Sequence, residues 1–505
     1  MHQPSLSRRH LVIGGAATLA AAALPATPAF AAQPPVPPGH RTTVHRWARD
    51  TWGSLVAMTD PGTGLVADHI SGSLTDRSVY TSPTNIGGYL WSALVARDLG
   101  IISPRECSRR IRQTLDTLER MEHHEASAMY VNWYDPRDGS VIHAWPENGD
   151  PVVPFVSSVD AAWLGAALLC VRNGDRANSA QAGAMFARMR FDVFSDPDAG
   201  HLNYGGFYLV EPTALNNPPA TVARDLIGSG TPVWYTATHH YDTVVSETRI
   251  TTYLGIAKGQ IPGHSYYRSW RTFPPDWTWP EMPPVGRWRE YLGVRVYEGA
   301  HRYAGTTIVP GWGGSMFEEL MPNVFVPEER WAPRSWGRNH PRHVDAQIFH
   351  GLRDARYGYW GFSPASSPYG GYAEWGVDAL GLKPDGYFSD HEHTDYYWDD
   401  PPTRYGDGVV TPHAAFLAMM HRPVQALQNL RKLARDFDAY GPGGFYDAIG
   451  TRSGKVAQRY LSLDQAMIMG ALGDVLGGGV LKRYFCAGEV TRGVRPVIAP
   501  EVFGP

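Results

Sequence analysis

The stretch SSVDAAWLGAALLCVRNG, from Ser157 to Gly174, decides the fold class of this chain. It opens on a serine that can cap a helix and closes on a glycine that can end one. Between them Asp160 shares a helical face with Trp163 and Leu164, at spacings of three and four residues. The stretch therefore predicts a helix with an acid in its first turn, on a face that should be apolar.

Comparable start and stop signals place other helices along the chain. Ser103-Pro104-Arg105-Glu106 is a capping box with proline at the first helical position, and TVVSETRITTYLGIAKGQIP ends at Gly259. Short strands are expected in GVRVYEG and HLNYGGFYLV. The remaining helical segments, which bring the total to about eleven, are HRWARDTWGSLVAM, NIGGYLWSALVARDLG, SAQAGAMFARMR, MFEELM, VDAQIFHGLRDARYG, TPHAAFLAMM, RPVQALQNLRKLARDFDAYG and SLDQAMIMGALGDVLGG.

This number of helices, without heptads or a short repeat, favours a closed helical array over a four-helix bundle. We predict an all-α fold, an (α/α)6 toroid with long Gly/Pro/aromatic loops and a few short strands. Residues 1–31 form a predicted signal peptide, residues 32–45 a proline-rich leader, and residues 46–505 a single catalytic domain.

Bulk composition excludes several classes of function. The chain has 505 residues, 43% of them hydrophobic, and a formal net charge of -4, so it offers no basic field for nucleic acid. Its 17 Trp and 26 Tyr supply flat rings that stack on sugars or fill a core. The three cysteines Cys107, Cys170 and Cys486 are odd in number and far apart, which indicates neither a disulfide framework nor a thiolate metal site.

The N-terminal segment has the features of an export signal. Arg8 and Arg9 precede an apolar run, and Ala29-Phe30-Ala31 is a small-x-small cleavage site. The paired arginines predict twin-arginine (Tat) export, with an ordinary secretory signal as the alternative. The protein is then expected to be secreted, periplasmic or in the cell envelope, as a monomer with no membrane contact after cleavage.

Three acids lie on helical faces that should be apolar. Glu247 shares a stripe with Ile250 and Leu254, and Asp464 shares one with Met467, as Asp160 does in the opening stretch. Taken singly, each acid is explained by helix capping or by the helix dipole. In a ring of paired helices, however, the inner helices begin at one rim, so the three acids would converge on a ligand there.

Glycosidic hydrolysis requires such a set of acids, one protonated in an apolar site and one ionised. Glu247 has apolar neighbours and suits the acid, whereas Asp464, beside the polar Gln465, suits the base. GxSxG, GxGxxG, P-loop and HExxH motifs do not occur in the sequence, so the chemistries that use them have no support.

Further polar residues are candidates for sugar binding. Glu318, His413 and Asp447 are predicted contacts, each with a structural alternative: a surface acid, a core histidine and a turn-forming aspartate. His391-Glu392-His393 would be able to hold a metal, but the favoured interpretation is a sugar-binding or solvated loop, and no metal or cofactor is predicted.

The segment WGFSPASSPYGGYAEWGV, residues 360–377, combines aromatic rings with glycine-jointed backbone. It predicts a wall that stacks on sugar faces, with serines that bond hydroxyls, or alternatively a plug at one end of the toroid. The predicted contacts, with Trp312 and Gln465 from elsewhere, are Trp360, Phe362, Ser363, Ser366, Ser367, Tyr369, Tyr372 and Trp375.

The motifs in this order resemble the glycoamylase-like family, which includes endo-β-1,2-glucanases. They are TGLVADH, SPTNIGGYLWSALVARDLGIIS, SETRITTYLGIAKGQIP, GGSMFEELMP, WGFSPASSPYGGY, VTPHAAFLAM, QALQNLRKL, YGPGGFYDAIG and LSLDQAMIMGAL, from about Thr63 to Leu476. The resemblance implies an (α/α)6 toroid and, as in the glucanase members, inverting hydrolysis. It places Glu247 at the general acid, Asp464 at the late Asp base and Asp160 among acids lining the cleaved sugar. The long loop RTFPPDWTWPEMPPVGRWREYLGV and the HEHTDYYWDD loop depart from the glucanases.

The sequence thus predicts an exported glycoside hydrolase acting on a β-1,2-glucan-like or bacterial surface glycan. The main alternative is a non-catalytic glycan-binding or envelope protein on the same scaffold, in which the acids only cap helices. A third reading, a toroidal lyase acting on uronates, would require more basic residues around the cleft than the motifs offer.

Overall fold

The structure is a computed structural model that describes residues 36–237, 240–277, 282–382 and 405–505. Helices are the main secondary structure of these residues. Eleven of these helices correspond to the predicted segments, and α8, α13 and α14 are additional. The α-helices of these residues are α1 (Arg41–Met58), α2 (Pro83–Asp98), α3 (Pro104–Leu118), α4 (Ser158–Gly174), α5 (Ser179–Arg188), α6 (Arg249–Ala257), α7 (Met316–Leu320), α8 (Glu328–Trp331), α9 (Trp336–Phe349), α10 (Pro412–Ala418), α11 (Pro423–Asp436), α12 (Ser462–Val475), α13 (Val480–Phe485) and α14 (Glu489–Ile498).

Short antiparallel strands connect the helices, so the all-α prediction is too simple. They form small sheets, the largest having the order β4-β7-β9-β8. The strands are β1 (His69–Ser71), β2 (His123–His124), β3 (Met129–Tyr130), β4 (Phe155–Ser157), β5 (Ser195–Asp196), β6 (Leu202–Tyr204), β7 (Gly206–Tyr208), β8 (Thr221–Arg224), β9 (Val233–Thr236), β10 (His240–Tyr241), β11 (Val285–Tyr291), β12 (Val294–Tyr303), β13 (Thr306–Ile308), β14 (Ala365–Ser366), β15 (Tyr372–Ala373), β16 (Val409–Val410), β17 (Tyr440–Gly441), β18 (Gly444–Phe445), β19 (Ala448–Gly450), β20 (Val456–Ala457) and β21 (Arg459–Leu461).

Part of the predicted long loop after residue 270 is a β-hairpin. Strands β11 and β12 pair from Val285 with Ala300 to Tyr291 with Val294. The two residues between them, Leu292 and Gly293, both have positive φ, at 49° and 76°. Two consecutive residues with positive φ form the kind of two-residue turn that matches the twist of a hairpin. The strand candidate GVRVYEG lies within this hairpin and HLNYGGFYLV contains β6 and β7, so both strand predictions are confirmed.

Serine side chains begin the helices where the sequence predicts. Ser103 Oγ accepts a hydrogen bond from the Glu106 amide at the start of α3, and Ser157 Oγ accepts one from the Asp160 amide at the start of α4. Asp160 and Asp464 lie in the first turns of α4 and α12, as predicted. Glu247 instead lies in the turn that precedes α6, two residues before its first helical residue.

Helix α2 is packed tightly between α4 and α12 because it carries two glycines in sequence. A Cβ atom on Gly87 would lie 2.9 Å from the Trp163 carbonyl of α4, and one on Gly88 would lie 2.8 Å from the Ala466 Cβ of α12. Trp91 Nε1 also donates a hydrogen bond to the Ala466 carbonyl at 3.0 Å. The glycine pair therefore brings three helix starts close together.

Six helices contact one another in cyclic order. α2 packs on α4, α4 on α6, α7 on α10, α10 on α12, and α12 on α2. Arg249 of α6 completes the sequence by donating hydrogen bonds to the carbonyls of Glu318 and Glu319 in α7. The helices α2, α4, α6, α7, α10 and α12 are called the inner helices below.

Two further features of the described residues concern the cysteines and the apolar helices. Cys107, Cys170 and Cys486 are free and buried. Within the described ranges, no helix is long and apolar enough to cross a bilayer.

Candidate active site

The beginnings of α4, α6 and α12 meet at one cavity of about 570 Å³. The three predicted catalytic acids, Glu247, Asp464 and Asp160, all line it, so the structure brings together residues that are far apart in the sequence. Other lining residues with polar or aromatic side chains are Asp68, His69, Tyr80, Ser82, Thr84, Asn85, Asn132, Trp133, Trp145, Phe317, Ser366, Tyr372, Glu374 and Arg459.

Glu247 is held in an environment that favours its protonated form. Burial raises the pKa of this carboxyl to about 8, and the negative charges of Asp160 and Glu318 act in the same direction. Trp163 Nε1 donates a hydrogen bond to Glu247 Oε2 at 2.7 Å, which opposes the shift. At neutral pH Glu247 therefore carries a proton that it can donate.

The backbone around Glu247 is fixed from both sides. Before it, Val245 bridges to Gly311 and the Val244 amide donates to the Trp270 carbonyl at 2.8 Å. After it, Arg249 forms a buried ion pair with Glu328 at 2.7 Å and donates to the Ser246 carbonyl at 2.9 Å. The carboxyl of Glu247 is thus positioned by contacts outside its own turn.

Asp160 is joined to the start of the neighbouring helix. Thr84 Oγ1, in the first turn of α2, donates a hydrogen bond to Asp160 Oδ1 at 2.6 Å. Burial raises the pKa of Asp160, while the Thr84 and Ser157 hydroxyls oppose that shift. Because it raises the pKa of Glu247 and lines the same cavity, Asp160 contributes to the electrostatics of the site.

Asp464, in the first turn of α12, is backed by two buried groups. Burial raises its pKa to about 7, and a hydrogen bond from Asp447 lowers it. Burial together with the charge of Asp464 raises the pKa of Asp447 well above its usual value. Of the two carboxyls, Asp447 therefore keeps the proton and Asp464 is the first to ionise.

His413 is the second group behind Asp464. Its Nδ1 lies 2.8 Å from Asp464 Oδ2 and 2.8 Å from Thr411 Oγ1. Burial lowers the pKa of His413 to about 4, so the ring is neutral. Asp447 and His413, which the sequence predicts as sugar contacts, are instead almost fully buried behind Asp464 and do not line the cavity.

The aromatic segment 360–377 divides between cavity and core. Tyr372 is 58% exposed and lines the cavity, and Ser366 lines it as well. Trp360 and Phe362 are buried, and so is Trp375. The prediction that these rings form a sugar-stacking wall is therefore wrong for them, because their faces are used in packing. In this respect the segment is closer to the alternative, a structural plug.

The serines and the tyrosine beside these rings have structural partners. Ser363 is buried, and its Oγ accepts a hydrogen bond from the Phe317 amide at 3.2 Å. Ser367 Oγ accepts from the Tyr369 amide, and the Tyr369 hydroxyl donates to Asp407 at 2.8 Å. None of these three is among the residues that line the cavity.

Three further predicted contacts are structural in the described fold. Glu318 completes a capping box with Ser315 at the start of α7, and its Oε1 accepts from the Trp312 amide at 2.8 Å. Gln465 is buried between Ser54 and the Phe445 carbonyl. None of Glu318, Trp312 and Gln465 is among the residues that line the cavity.

Several cavity residues were missed by the sequence analysis. Asp68 accepts hydrogen bonds from Asn85 Nδ2 at 3.0 Å and lies 3.1 Å from His69 Nδ1. Asp68 precedes β1, which pairs with β21, and β21 leads directly into Asp464 through α12. Local sequence offers no sign of this pairing.

Trp133 and Trp145 were also missed. Both lie in the turn-rich segment before α4, and aromatic residues in such a segment are a sequence signal for a cavity lining.

The charged lining of the cavity is acidic. Asp68, Asp160, Glu247, Glu374 and Asp464 contribute carboxyl groups. Among the described residues that line it, Arg459 is the single Lys or Arg. Within the described ranges, groupings of three or more His, Cys, Asp or Glu side chains able to hold a metal are absent. The His391-Glu392-His393 segment lies outside the described residues.

Comparison with known proteins agrees with this fold. Residues 239–486 match the family described as "Putative glucoamylase", and residues 46–192 match a family of proteins of unknown function. The cyclic β-(1,2)-glucan synthase NdvB of Rhizobium meliloti (strain 1021) is 28% identical over 265 residues, which are 50% of this chain. The chain spans only 8% of the length of that synthase.

Solved structures share the fold over most of their length. The structure of a putative glucoamylase from Bacteroides uniformis has a TM-score of 0.64 at 15% identity and covers 90% of this chain and 96% of its own. An endo-β-1,2-glucanase from Chitinophaga pinensis, in complex with sophorotriose and glucose, has a TM-score of 0.62 at 16% identity and covers 91% and 98%. The chain thus resembles the putative glucoamylase family over residues 239–486, and it shares the fold of these solved structures.

Proposed function

We propose that this protein is a glycoside hydrolase that cleaves a neutral, β-1,2-linked glucan with Glu247 as general acid and Asp464 as general base. The observation that carries the proposal is the pair of unlike carboxyls at one cavity. Burial holds a proton on Glu247 at neutral pH, with a pKa of about 8, whereas Asp464 has the lower pKa of about 7. An acid and a base with separated pKa values are what glycosidic cleavage requires.

The reaction follows from these proton states. Glu247 donates its proton to the glycosidic oxygen as the bond from that oxygen to the anomeric carbon breaks. A water molecule loses a proton to the carboxylate of Asp464 and forms the new bond to the anomeric carbon. Solvent then takes the proton from Asp464 and returns one to Glu247. Asp447, protonated behind Asp464, donates the hydrogen bond that keeps the base ionised.

We infer that the inner helices close into the ring of an (α/α)6 toroid. Their cyclic contacts support this. The chain order supports it as well, because five of the inner helices each follow another helix: α1 precedes α2, α3 precedes α4, α5 precedes α6, α9 precedes α10 and α11 precedes α12. In that ring α6 and α12 are three positions apart, so Glu247 and Asp464 approach the sugar from opposite sides. On this arrangement we propose inversion, in which a water molecule attacks from the side of the base.

The β-1,2 linkage is proposed from the relatives. The Rhizobium meliloti protein is named for cyclic β-(1,2)-glucan, and the Chitinophaga pinensis structure holds sophorotriose and glucose. The acidic lining of the cavity agrees with a substrate that has no negative charge, and it disfavours a lyase acting on uronates.

We further propose that residues 1–31 direct export, with a periplasmic, envelope or secreted location.

Digestion of a panel of neutral glycans tests the hydrolase directly. The purified protein, without residues 1–31, is incubated with linear β-1,2-glucan and with β-1,3-, β-1,4- and α-1,4-glucans, and products are read by mass spectrometry. We expect cleavage of the β-1,2-glucan, and a loss of about 10²–10⁴-fold in kcat for Glu247→Gln with binding retained. Binding of a glycan by the unaltered protein without cleavage of any would instead support a non-catalytic glycan-binding protein.

A further inference from the structure

Three aromatic rings that line the cavity contact one another edge to face. Tyr80, Trp133 and Trp145 contact one another pairwise, with ring centroids 5.5, 5.5 and 5.2 Å apart and interplanar angles of 89°, 77° and 63°. All three rings are partly exposed and line the cavity. Because the rings are steeply inclined to one another, together they form a corner rather than a flat stack.

The backbone beneath these rings is held by turns and bridges. Tyr134 exchanges hydrogen bonds with Thr81 at 2.9 and 3.0 Å, and the Tyr134 hydroxyl donates to the Glu122 carbonyl at 2.6 Å. The Trp145 amide donates to the Asp150 carbonyl at 2.8 Å. The rings are therefore set in place before any ligand arrives, which lowers the entropic cost of binding.

Polar groups line the same cavity as the rings and the proposed catalytic acids. Asn132 lines the cavity, and its buried Oδ1 has no hydrogen-bond partner among the described residues. Asp68 lies within electrostatic range of both Tyr80 and Asp464. A buried acceptor without a partner is costly unless a ligand hydroxyl satisfies it.

We propose that Tyr80, Trp133 and Trp145 form a sugar-binding subsite that stacks on a neutral pyranose of the glucan, on a unit beyond the one cleaved. The proposal rests on the proposed function for the choice of glucan. Flat rings with a polar border match a pyranose, which has apolar faces and hydroxyls around its edge. The subsite is expected to make affinity depend on chain length, because a longer oligosaccharide can contact the acids and the rings at the same time.

Binding is measured in the Glu247→Gln background, so that turnover is not needed. Calorimetric titrations use linear β-1,2-gluco-oligosaccharides from the disaccharide to the decasaccharide. For the longer members we expect Trp133→Ala and Trp145→Ala to weaken binding about tenfold or more, as truncation of a buried aromatic anchor does, and to leave the disaccharide unaffected. Trp145→Leu keeps apolar bulk without a flat face and is expected to lose the same affinity.

Trp288→Ala is the matched control, since Trp288 is 45% exposed on β11 and does not line the cavity. It should leave every titration unchanged. Equal affinity of the Trp145→Leu variant and its parent for long oligosaccharides would overturn the subsite, and so would no binding of any oligosaccharide by the parent. If the protein with Glu247 binds but does not cleave, while the Trp145 variants lose binding, the subsite stands and the hydrolase falls.

Discussion

At the scale of single residues, the proton state of Glu247 depends on its contact with Trp163. The indole nitrogen donates to Glu247 Oε2 at 2.7 Å and opposes the effect of burial on the pKa. Burial exceeds this effect, and the carboxyl stays protonated to about pH 8. The acid role therefore results from two opposed contributions that mutation can separate.

Trp163→Phe removes the hydrogen-bond donor and keeps most of the packing. A donor stabilises the ionised carboxylate, so its loss raises the pKa of Glu247 further. We expect the alkaline limb of the pH profile of kcat to move to higher pH, and the acid limb to stay in place. Trp91→Phe, which removes another buried indole donor, is the control and should move neither limb. An alkaline limb that stays or moves to lower pH contradicts the role of Trp163.

Asp447 provides the second residue-scale prediction. If Asp447 is protonated, Asp447→Asn replaces the carboxylic O–H donor by an amide N–H donor. The kcat/KM of this variant should then stay close to that of the unaltered protein. Asp447→Ala removes the donor to Asp464, which raises the pKa of Asp464, since the hydrogen bond lowers it. For Asp447→Ala we expect the acid limb of the pH profile to move to higher pH. We expect kcat/KM below pH 7 to fall about tenfold, because one hydrogen bond to a charged group is lost.

The measurement is the pH profile of kcat/KM for both Asp447 variants. Thermal unfolding shows whether each is folded. A loss in the asparagine variant as large as that in the alanine variant would mean that Asp447 works as a carboxylate.

At the scale of elements, close packing of α2 sets the distance between helix starts. The Gly87 Cβ position is 2.9 Å from the Trp163 carbonyl and 3.2 Å from the Leu164 Cα, and both atoms are backbone. Gly87→Ala should lower the free energy of unfolding by about 1–3 kcal/mol, the usual cost of overpacking.

Gly53 offers a matched control for that change. It lies in α1, and nothing is within 4 Å of its Cβ position. Gly53→Ala should raise stability by about 0.5–1 kcal/mol, because alanine loses less conformational freedom in a helix. Denaturant unfolding measures both. Equal effects of the two substitutions would contradict the tight packing of α2.

The elements also show what sequence can and cannot predict. Caps such as Ser103 and Ser157 act within three residues, so helix starts and the acids near them are readable locally. Trp360 and Phe362 were misassigned because a ring in a glycine-rich segment has the same local sequence whether it lines a cavity or packs beneath it. Asp68 was missed because its place depends on the pairing of β1 with β21, nearly four hundred residues apart.

At the scale of the whole molecule, the charge of the cavity selects its substrate. Besides the protonated Glu247, four carboxyl groups and one arginine line it, so an added negative charge on the glucan is repelled. We expect β-1,2-glucan oxidised to carry 6-carboxylates to be cleaved at least about tenfold more slowly than the neutral polymer at low salt, with a smaller difference at high salt. Equal rates, from reducing-end assays of both polymers, would contradict this account of specificity.

The central claim is that one cavity holds a protonated Glu247 and an ionised Asp464, and the pH profile of kcat/KM on linear β-1,2-glucan tests it most directly. Activity requires Asp464 without its proton and Glu247 with it, so it should rise through about pH 7 and fall through about pH 8. The account predicts a narrow bell between these limbs, and Glu247→Gln should lower kcat by about 10²–10⁴-fold. A profile with its acid limb near pH 4 and no alkaline limb would contradict the account.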